Sequence, residues 1–440
     1  MASPGRAGLG ADAAEPGPRR RPASGGKSAR TRQRILDATA TVLAERGYAG
    51  TRLSDVAALA ELRAPAVYYY FDSREQLVEE VVTTGMVRNL DHVRTALAGM
   101  PAEASGLERI ARAVEAHLQA VLRLSDYTRA AIRSSSQLPP AMRERHLRAQ
   151  QRYVDVWRDL LGAARESGEI ASDLDVGAAR MLLLGALNWS TEWWNPRQGS
   201  LRAIVRTAQH VICAGLAGPG AGGPSADLPA LLPPVPAEPA DPGTRERILD
   251  AAAVVLNRRG YAGTRLADIG AVAGLQAPAI YYYFGSRDDV IEEVVQVGLR
   301  RTMAHVTGSL DALGAGAPPA ARIATAVRAH LEIVVRDSGY AAAAIRNAGQ
   351  LPPDIRRVQL LDQHRYAAVW RALLESASAA GVLADGIDTR AARMLVIGAL
   401  NGAPDWWRAG RGSLSDTVET AQRLVCRGLL SGSATRSAAP

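Results

Sequence analysis

Lysine is almost missing from this 440-residue chain: Lys27 is the only one. Nearly all the positive charge is therefore guanidinium, which recognises phosphates and carboxylates through a planar fork. Cysteine is as scarce. Cys213 and Cys426 are too few for a disulfide framework, and they read as small buried hydrophobes in a reducing cytoplasm. No stretch reaches the about 18 uninterrupted apolar residues of a membrane span, and no signal-peptide pattern is present, so neither insertion nor export is indicated. A Gly-rich phosphate loop and a nucleophile elbow are both lacking, so neither catalysis nor a cofactor is expected. His92 and His117 recur as His305 and His330, but without a carboxylate or cysteine at ligand spacing, so no metal site is expected either.

What the chain does have is an excess of base, a net charge of +8 with a pI near 9.8. That balance favours a polyanionic partner. Part of it is local: residues 1–30 carry Arg6, Arg19, Arg20, Arg21, Lys27 and Arg30 against Asp12 and Glu15. The chain also repeats itself. A constant offset of 213 residues aligns Gly47 with Gly260, Tyr68 with Tyr281, His117 with His330, Trp157 with Trp370, Trp194 with Trp407 and Cys213 with Cys426. Residues 31–71 and 244–284 share 29 of 41 positions, so the chain is a duplicated unit, each copy too long for a solenoid repeat.

Periodicity makes each unit all-α. Ile35, Leu36, Thr39, Val42 and Leu43 form one face of a helix over Thr31–Arg46. A longer helix follows from about Arg74 to Ala98, then helices near 106–123 and 126–135. Pro139 and Pro140 open a long helix to about Glu166, on which Tyr153, Val156, Trp157, Leu160, Leu161 and Ala164 keep helical spacing. Two more lie near 175–194 and 200–216. The run MLLLGALNW at 181–189 is apolar nearly all round, so it must be buried on opposite sides. One side faces its own core. The other needs a partner, most simply the equivalent helix of a second unit. The expected organisation is a disordered basic tail (1–28), a first small N-terminal head (29–74), a first larger helical domain (75–216), a Pro/Gly linker (217–242), a second head (243–287), a second helical domain (288–430) and a disordered tail (431–440). As a coil the linker spans about 28 Å; extended, it reaches about 85 Å, enough to dock one unit on the other. Tethering raises the local concentration of each half toward mM.

The expectation that the two heads are DNA-binding domains rests on TRLSDVAALAELRAPAVYYYFDSR at 51–74 and TRLADIGAVAGLQAPAIYYYFGSR at 264–287. Each reads as a short helix, a tight turn, a second helix with proline in its first turn, and the start of a third. Ala64–Tyr70 form the second helix of the first copy, Phe71 packs back, and Asp72 or Ser73 caps the next helix. This is the layout of a helix-turn-helix, whose second helix enters the major groove. Three consecutive tyrosines on a helix point about 100° apart, so at least one must project outward. Together with TRQRILDAT at 31–39, ERGYAGT at 45–51, TRERILDAA at 244–252 and RRGYAGT at 258–264, these motifs resemble the DNA-binding domain of TetR (tetracycline repressor) regulators. The resemblance implies that Pro65, Tyr69 and Tyr70 approach DNA, with Thr51, Arg52, Ser54, Tyr68 and Arg74 near phosphates. Arg63 stands at the edge of the helix, and Ala64 and Ala66 offer methyls to thymine. The second copy supplies Thr264, Arg265, Gln276, Ala277, Pro278, Tyr281, Tyr282, Tyr283 and Arg287. Few of these make bidentate base contacts, so phosphates and DNA shape are expected to carry much of the affinity. Arg63 against Gln276, and Glu61 against Gly274, distinguish the two heads and imply a nearly palindromic operator. PRRRP at 18–22 is either a minor-groove arm or a solvated tail.

The larger helical domains are expected to be regulatory domains, since these C-terminal parts resemble the TetR subgroup that senses acyl-CoA thioesters, through LPP at 138–140 and 351–353, the Tyr153/Trp157 pair, and GALNW followed by a double tryptophan. Ligand-binding candidates are His117, Arg129, Arg133, Gln137, Tyr153, Trp157, Asn188, Trp193 and Trp194; the alternative is that the aromatics are ordinary core. Arginine there suits a phosphate or carboxylate. In the second unit GALN runs into GAPDWW, and Pro404 breaks the helix where Thr191 stood, so that pocket is expected to be either altered or lost. The leading expectation is a cytoplasmic transcription regulator, a repressor released by an effector, with its two units paired inside one chain as a pseudo-dimer. The alternatives are a homodimer of whole chains with four heads, and a ligand-binding helical protein whose head is vestigial.

Overall fold

The computed structural model describes residues 26–124, 126–197, 199–218, 243–347, 349–408 and 412–431. The arginine-rich run at 18–22, most of the linker and most of the final tail lie outside these residues. Within them the chain is helical, with two isolated bridges, Ile170–Ala217 and Leu383–Leu430, and no longer strand pairing.

The first unit begins with α1 (Gly26–Gly50), so Gly26–Ser28 belong to its first turn rather than to a tail. Then come α2 (Leu53–Leu59), α3 (Ala64–Val67), α4 (Arg74–Ala98) and α5 (Gly106–Gln119). A π-helical turn (Ala120–Leu124) leads to α6 (Asp126–Ser134), a 3-10 turn (Ser135–Gln137), α7 (Pro140–Glu166), α8 (Val176–Trp193) and α9 (Leu201–Leu216). Ala217 and Gly218 remain attached to this unit, because Gly218 N–H donates to the Glu169 carbonyl. The second unit contains α10 (Thr244–Gly263), α11 (Leu266–Ala273), α12 (Ala277–Ile280), α13 (Arg287–Leu313), α14 (Pro319–Arg336), α15 (Ser338–Asn347), α16 (Pro353–Ala379), α17 (Thr389–Asn401), α18 (Ala403–Trp406) and α19 (Leu414–Leu429). As the sequence anticipates, α17 stops at Asn401 and Pro404 sits in the first turn of α18, whereas α8 runs unbroken to Trp193.

Local chemistry sets the helix ends. Ser73, Ser105, Asp175 and Ser200 each accept a backbone N–H of the first turn that follows, and Ser105 with Glu108 completes a capping box. Both first helices kink at a glycine, Gly47 with φ 68° and Gly260 with φ 67°. An L-residue with a side chain pays for that left-handed conformation, which is why RGY recurs.

The two units pack on each other through α8, α9, α17 and α19. Leu182, Leu183, Leu187, Leu395, Val396 and Leu400 are all buried, so the all-round apolar helices are covered on both sides, as their composition requires. The helices cross closely: a methyl added to Gly215 would meet the Leu424 carbonyl, and one on Gly428 the Val211 carbonyl. Polar contacts at the rim are reciprocal. Asp175 N–H donates to Thr420 Oγ1 at 3.1 Å, and Asp388 N–H donates to Thr207 Oγ1 at 3.0 Å. Residue i of one unit meets residue j of the other, and the reverse, which is the signature of an isologous interface. Asp173 with Arg423 and Arg427 breaks this symmetry, since Gly386, His210 and Ala214 hold the equivalent places.

Candidate nucleic-acid interface and effector site

Each head is a small three-helix core. Ile35, Leu43, Val56, Val67, Phe71 and Leu77 of the first are almost wholly buried. The second reading helix is shorter than its sequence suggests: α3 is one α-turn, and Tyr69 and Tyr70 continue it through bonds to Ala66 and Val67, three residues back. A tighter turn separates successive side chains by about 120°. Phe71 turns into the core, while Tyr68 and Tyr69 point outward at 54% and 64% exposure. In the second head Tyr281, Tyr282 and Tyr283 are all exposed, Tyr282 at 87%. Arg63, Pro65, Arg265, Gln276 and Pro278 are exposed beside them, as are Arg52 and Ser54, while Ala64, Ala277 and Tyr70 are half-buried.

Two pairs of residues with phosphate roles by resemblance are engaged inside the head. Thr51 and Thr264 are buried, their hydroxyls donating to the Gly47 and Gly260 carbonyls at 2.8 Å. Arg74 stacks on Tyr48 at 4.2 Å, donates to the Thr51 carbonyl and pairs with Glu75; Arg287 stacks on Tyr261 at 4.6 Å and pairs with Asp288. The arginines clasp the kinked end of α1 to the start of α4, and that of α10 to the start of α13. Ser73, not Asp72, caps the following helix.

The regulatory domain gathers some of its candidates and separates others. His117, Tyr153 and Trp157 form one buried aromatic group, with centroids 5.8 to 6.4 Å apart. The Tyr153 hydroxyl lies 2.5 Å from His117 Nδ1. Burial pushes the His117 imidazole down to about 3 and raises the Tyr153 phenol, so both are neutral. Asn188 lies beside His117 but makes no well-formed bond to Nε2, which is left without a partner, as are Trp157 Nε1 and the Oδ1 of buried Asn89. In the second unit the imidazole is satisfied at both nitrogens, while Trp370 Nε1 stays unpartnered. Tyr366 meets His330 Nδ1 at 2.6 Å, and His330 Nε2 donates to Asn401 Oδ1 at 3.0 Å. Thr302, in place of Asn89, bonds its own helix at Gly298.

Arg129 pairs with Asp126 at 3.4 Å and keeps an unpartnered, buried Nε; the indole N–H groups of Trp193 and Trp194 are also unpartnered. Arg133 and Gln137 lie elsewhere. Arg133 forks onto Glu192 at 2.5 and 2.6 Å and donates to the Ala44 carbonyl, tying α6 to the end of α8 and to α1. Gln137 is buried under the first head, where its Oε1 accepts Tyr48 N–H at 3.1 Å. Sequence reasoning passed over Gln350 and Asn89; their signals are the repeat offset and a polar residue on an otherwise apolar helix face. Among the described residues no cluster of His, Cys, Asp and Glu is built to hold a metal, and no helix is long and apolar enough to cross a membrane.

Comparison with known proteins agrees with this architecture. The family described as bacterial regulatory proteins, tetR family, matches residues 35–81 and 248–294, and the tetracyclin repressor-like C-terminal domain matches 103–215 and 316–429. The HTH-type transcriptional repressor KstR2 of Rhodococcus jostii RHA1 is 27% identical over 210 residues, covering 44% of this chain and 94% of its own. The fatty acid metabolism regulator protein of Bacillus subtilis 168 is 24% identical, covering 41% and 93%. Among solved structures, AibR in complex with isovaleryl coenzyme A and operator DNA is 21% identical over 42% of this chain and 98% of its own, with a TM-score of 0.38. Each of the two repressor and regulator sequences thus corresponds to about one unit. The chain belongs to the TetR family of bacterial regulatory proteins, carrying both of the family's domains twice.

Proposed function

We propose that the chain is a cytoplasmic, non-enzymatic transcriptional repressor whose two units act together as one two-headed clamp on a single, nearly palindromic operator. The reciprocal Asp175–Thr420 and Asp388–Thr207 bonds carry this reading, because they pair the units as two subunits of a dimer would be paired. Both heads then present exposed tyrosines and arginines for adjacent major grooves, about 34–36 Å apart. The domain boundaries follow the repeat, with the described units running from Gly26 to Gly218 and from Gly243 to Ser431.

The effector is an acyl-CoA thioester or a compound like it. The LPP and GALNW resemblance supports this, as does the fatty acid metabolism regulator among the relatives. The first unit is the better receptor. His117 Nε2 and Asn89 Oδ1, whose counterparts are satisfied or replaced in the second unit, are buried with bonds to give or accept, and a polar ligand would satisfy them. Arg129 stands ready for a phosphate or carboxylate. In the second unit Asn401 already occupies the equivalent imidazole nitrogen.

Sedimentation or light scattering tests the pairing. One chain of 46.6 kDa on one operator supports it, while a stable dimer of chains supports the four-headed alternative. A mobility shift with the upstream region of the protein's own gene, read at several salt concentrations, tests the DNA role. Loss of the shift with acyl-CoAs of graded chain length, abolished by His117→Phe, tests the effector site. No shift at any salt concentration leaves a vestigial head.

A further inference from the structure

The two heads touch. The ends of α1 and α10 meet across the axis that relates the units, so that a Cβ on Gly50 would lie 3.8 Å from Ala262 Cβ, and one on Gly263 3.2 Å from Ala49 Cβ. Directly at this seam sit two side chains that do not belong to the heads. Gln137 comes from the turn after α6, and Gln350, its equivalent at the repeat offset, from the turn after α15. Both amides crowd both kinks. A methyl on Gly47 would lie 2.6 Å from Gln137 Oε1 and from Gln350 Nε2, and one on Gly260 would lie 2.9 Å from Gln137 Oε1 and Gln350 Oε1. Each glutamine therefore lies against its own head and the other head at once.

Their hydrogen bonding is half complete. Gln137 Oε1 takes Tyr48 N–H, but its buried Nε2 donates to nothing, and Gln350 has a buried Oε1 that accepts nothing. One amide lacks an acceptor and the other lacks a donor, in the same small space. The terminal torsions of both amides are soft. The seam also connects to the regulatory domains. The Arg133 guanidinium, forked onto Glu192 of α8, lies 3.3 Å from a Cβ placed on Gly349, next to Gln350.

We propose that Gln137 and Gln350 are positioning residues for DNA reading: wedged between the paired glycine kinks, they set the separation of the two heads. The role of that separation in operator choice rests on the two-headed function proposed above; the seam itself does not. A buried amide caught between two backbones is a more rigid spacer than apolar contact alone, because sliding leaves its polar atoms unpaired. The close approaches of positions 50 to 262 and 263 to 49, which the amides do not make, are small residues against small residues.

The test uses the full chain with Arg63→Cys and Gln276→Cys, both exposed N-cap positions of the reading helices, carrying nitroxide labels. Cys426 and the largely buried Cys213 are poor labelling sites, since burial pushes both thiols up to about 12. Pulsed dipolar spectroscopy should give one narrow distance. Adding Gln137→Ala and Gln350→Ala should broaden it about twofold or more while helix content and the unfolding temperature stay close to the parent. An unchanged distribution overturns the proposal. Should the double variant fail to fold, Gln350→Ala alone is read by the same criterion, because the Tyr48 N–H bond to Gln137 then stays in place. In binding-site selection from random DNA, the parent should return one half-site spacing and the variant several spacings of the same half-sites. A narrow distance that the alanines broaden, in a chain that selects no DNA, would refute the proposed function and leave the seam standing.

Discussion

Glu61 and Gly274 stand at the same corner of the two heads, and both adopt the left-handed conformation, with φ 53° and 69°. Among the described residues Glu61 is the only non-glycine with positive φ. The turn from α2 to α3, and from α11 to α12, requires that conformation, and the second head meets it with the residue that adopts it freely. The first head carries a carboxylate there, 3.2 Å from Arg34, in an exposed ion pair worth little. The strain should outweigh the pair. Glu61→Gly is expected to stabilise the first head by about 0.5–1 kcal/mol. Denaturant unfolding of the two chains checks this; a less stable variant would show that the ion pair dominates.

Acid should destabilise the regulatory domains through two histidines. Burial holds His117 down at about 3 and His330 at about 4, whereas both take up a proton near 6.5 when unfolded. Between those values the unfolded chain binds more protons than the folded one, so stability falls as pH drops below 6.5. At pH 5 the loss is about 2 kcal/mol per histidine. Unfolding midpoints at pH 7.5, 6 and 5 measure it, and His117→Gln with His330→Gln should flatten the slope. A slope that the double variant leaves unchanged would assign the acid sensitivity to other groups.

The ion pair between Arg133 and Glu192 recurs as Arg346 with Asp405. Arg133→Ala leaves the largely buried Glu192 carboxylate without its partner and frees the Ala44 carbonyl. The expected cost is about 2–3 kcal/mol. Arg133→Met combined with Glu192→Leu should recover most of that stability, since no charge is left unpaired, but should blunt the response of DNA affinity to effector. Thermal unfolding and effector titrations read the two consequences separately. Equal loss in the single and double variants would contradict the assignment.

On DNA, the exposed Arg52 and Arg265 should act through phosphates. Each change to alanine is expected to weaken binding to all sequences alike and to flatten the log–log salt dependence by about 1. Gln276→Arg should act differently, making the two selected half-sites identical at the position these residues approach. Selection from random DNA compares the sites directly; unchanged preference would remove Gln276 from base reading.

Much of this was legible from periodicity. MLLLGALNW has no polar side to give to water, so a second helical surface had to cover it, and α17 does. The outward tyrosines and the inward Phe71 also followed from their order along the turn. What escaped were the contacts made by residues distant in sequence. Arg133 and Gln137 share the neighbourhood of LPP with Arg129, and nothing local says that Glu192 captures one and the kink at Gly47 the other. Thr51 and Arg74 carry phosphate roles by resemblance, yet their hydrogen bonds turn inward because the helix kink leaves carbonyls that need donors. The closure of the second unit's imidazole by Asn401 likewise depends on where the break before Pro404 sets that side chain.

The arrangement of the two units within one chain is tested most directly by a covalent staple across the head seam. Cβ atoms at positions 50 and 262 lie 3.8 Å apart, within the range a disulfide requires. The chain carrying Gly50→Cys and Ala262→Cys should oxidise readily and run on non-reducing electrophoresis as a single species of the one-chain mass, 46.6 kDa, with altered mobility that reductant reverses. Thiols at 50 and 262 that remain free, or a covalent species of twice that mass, would contradict it.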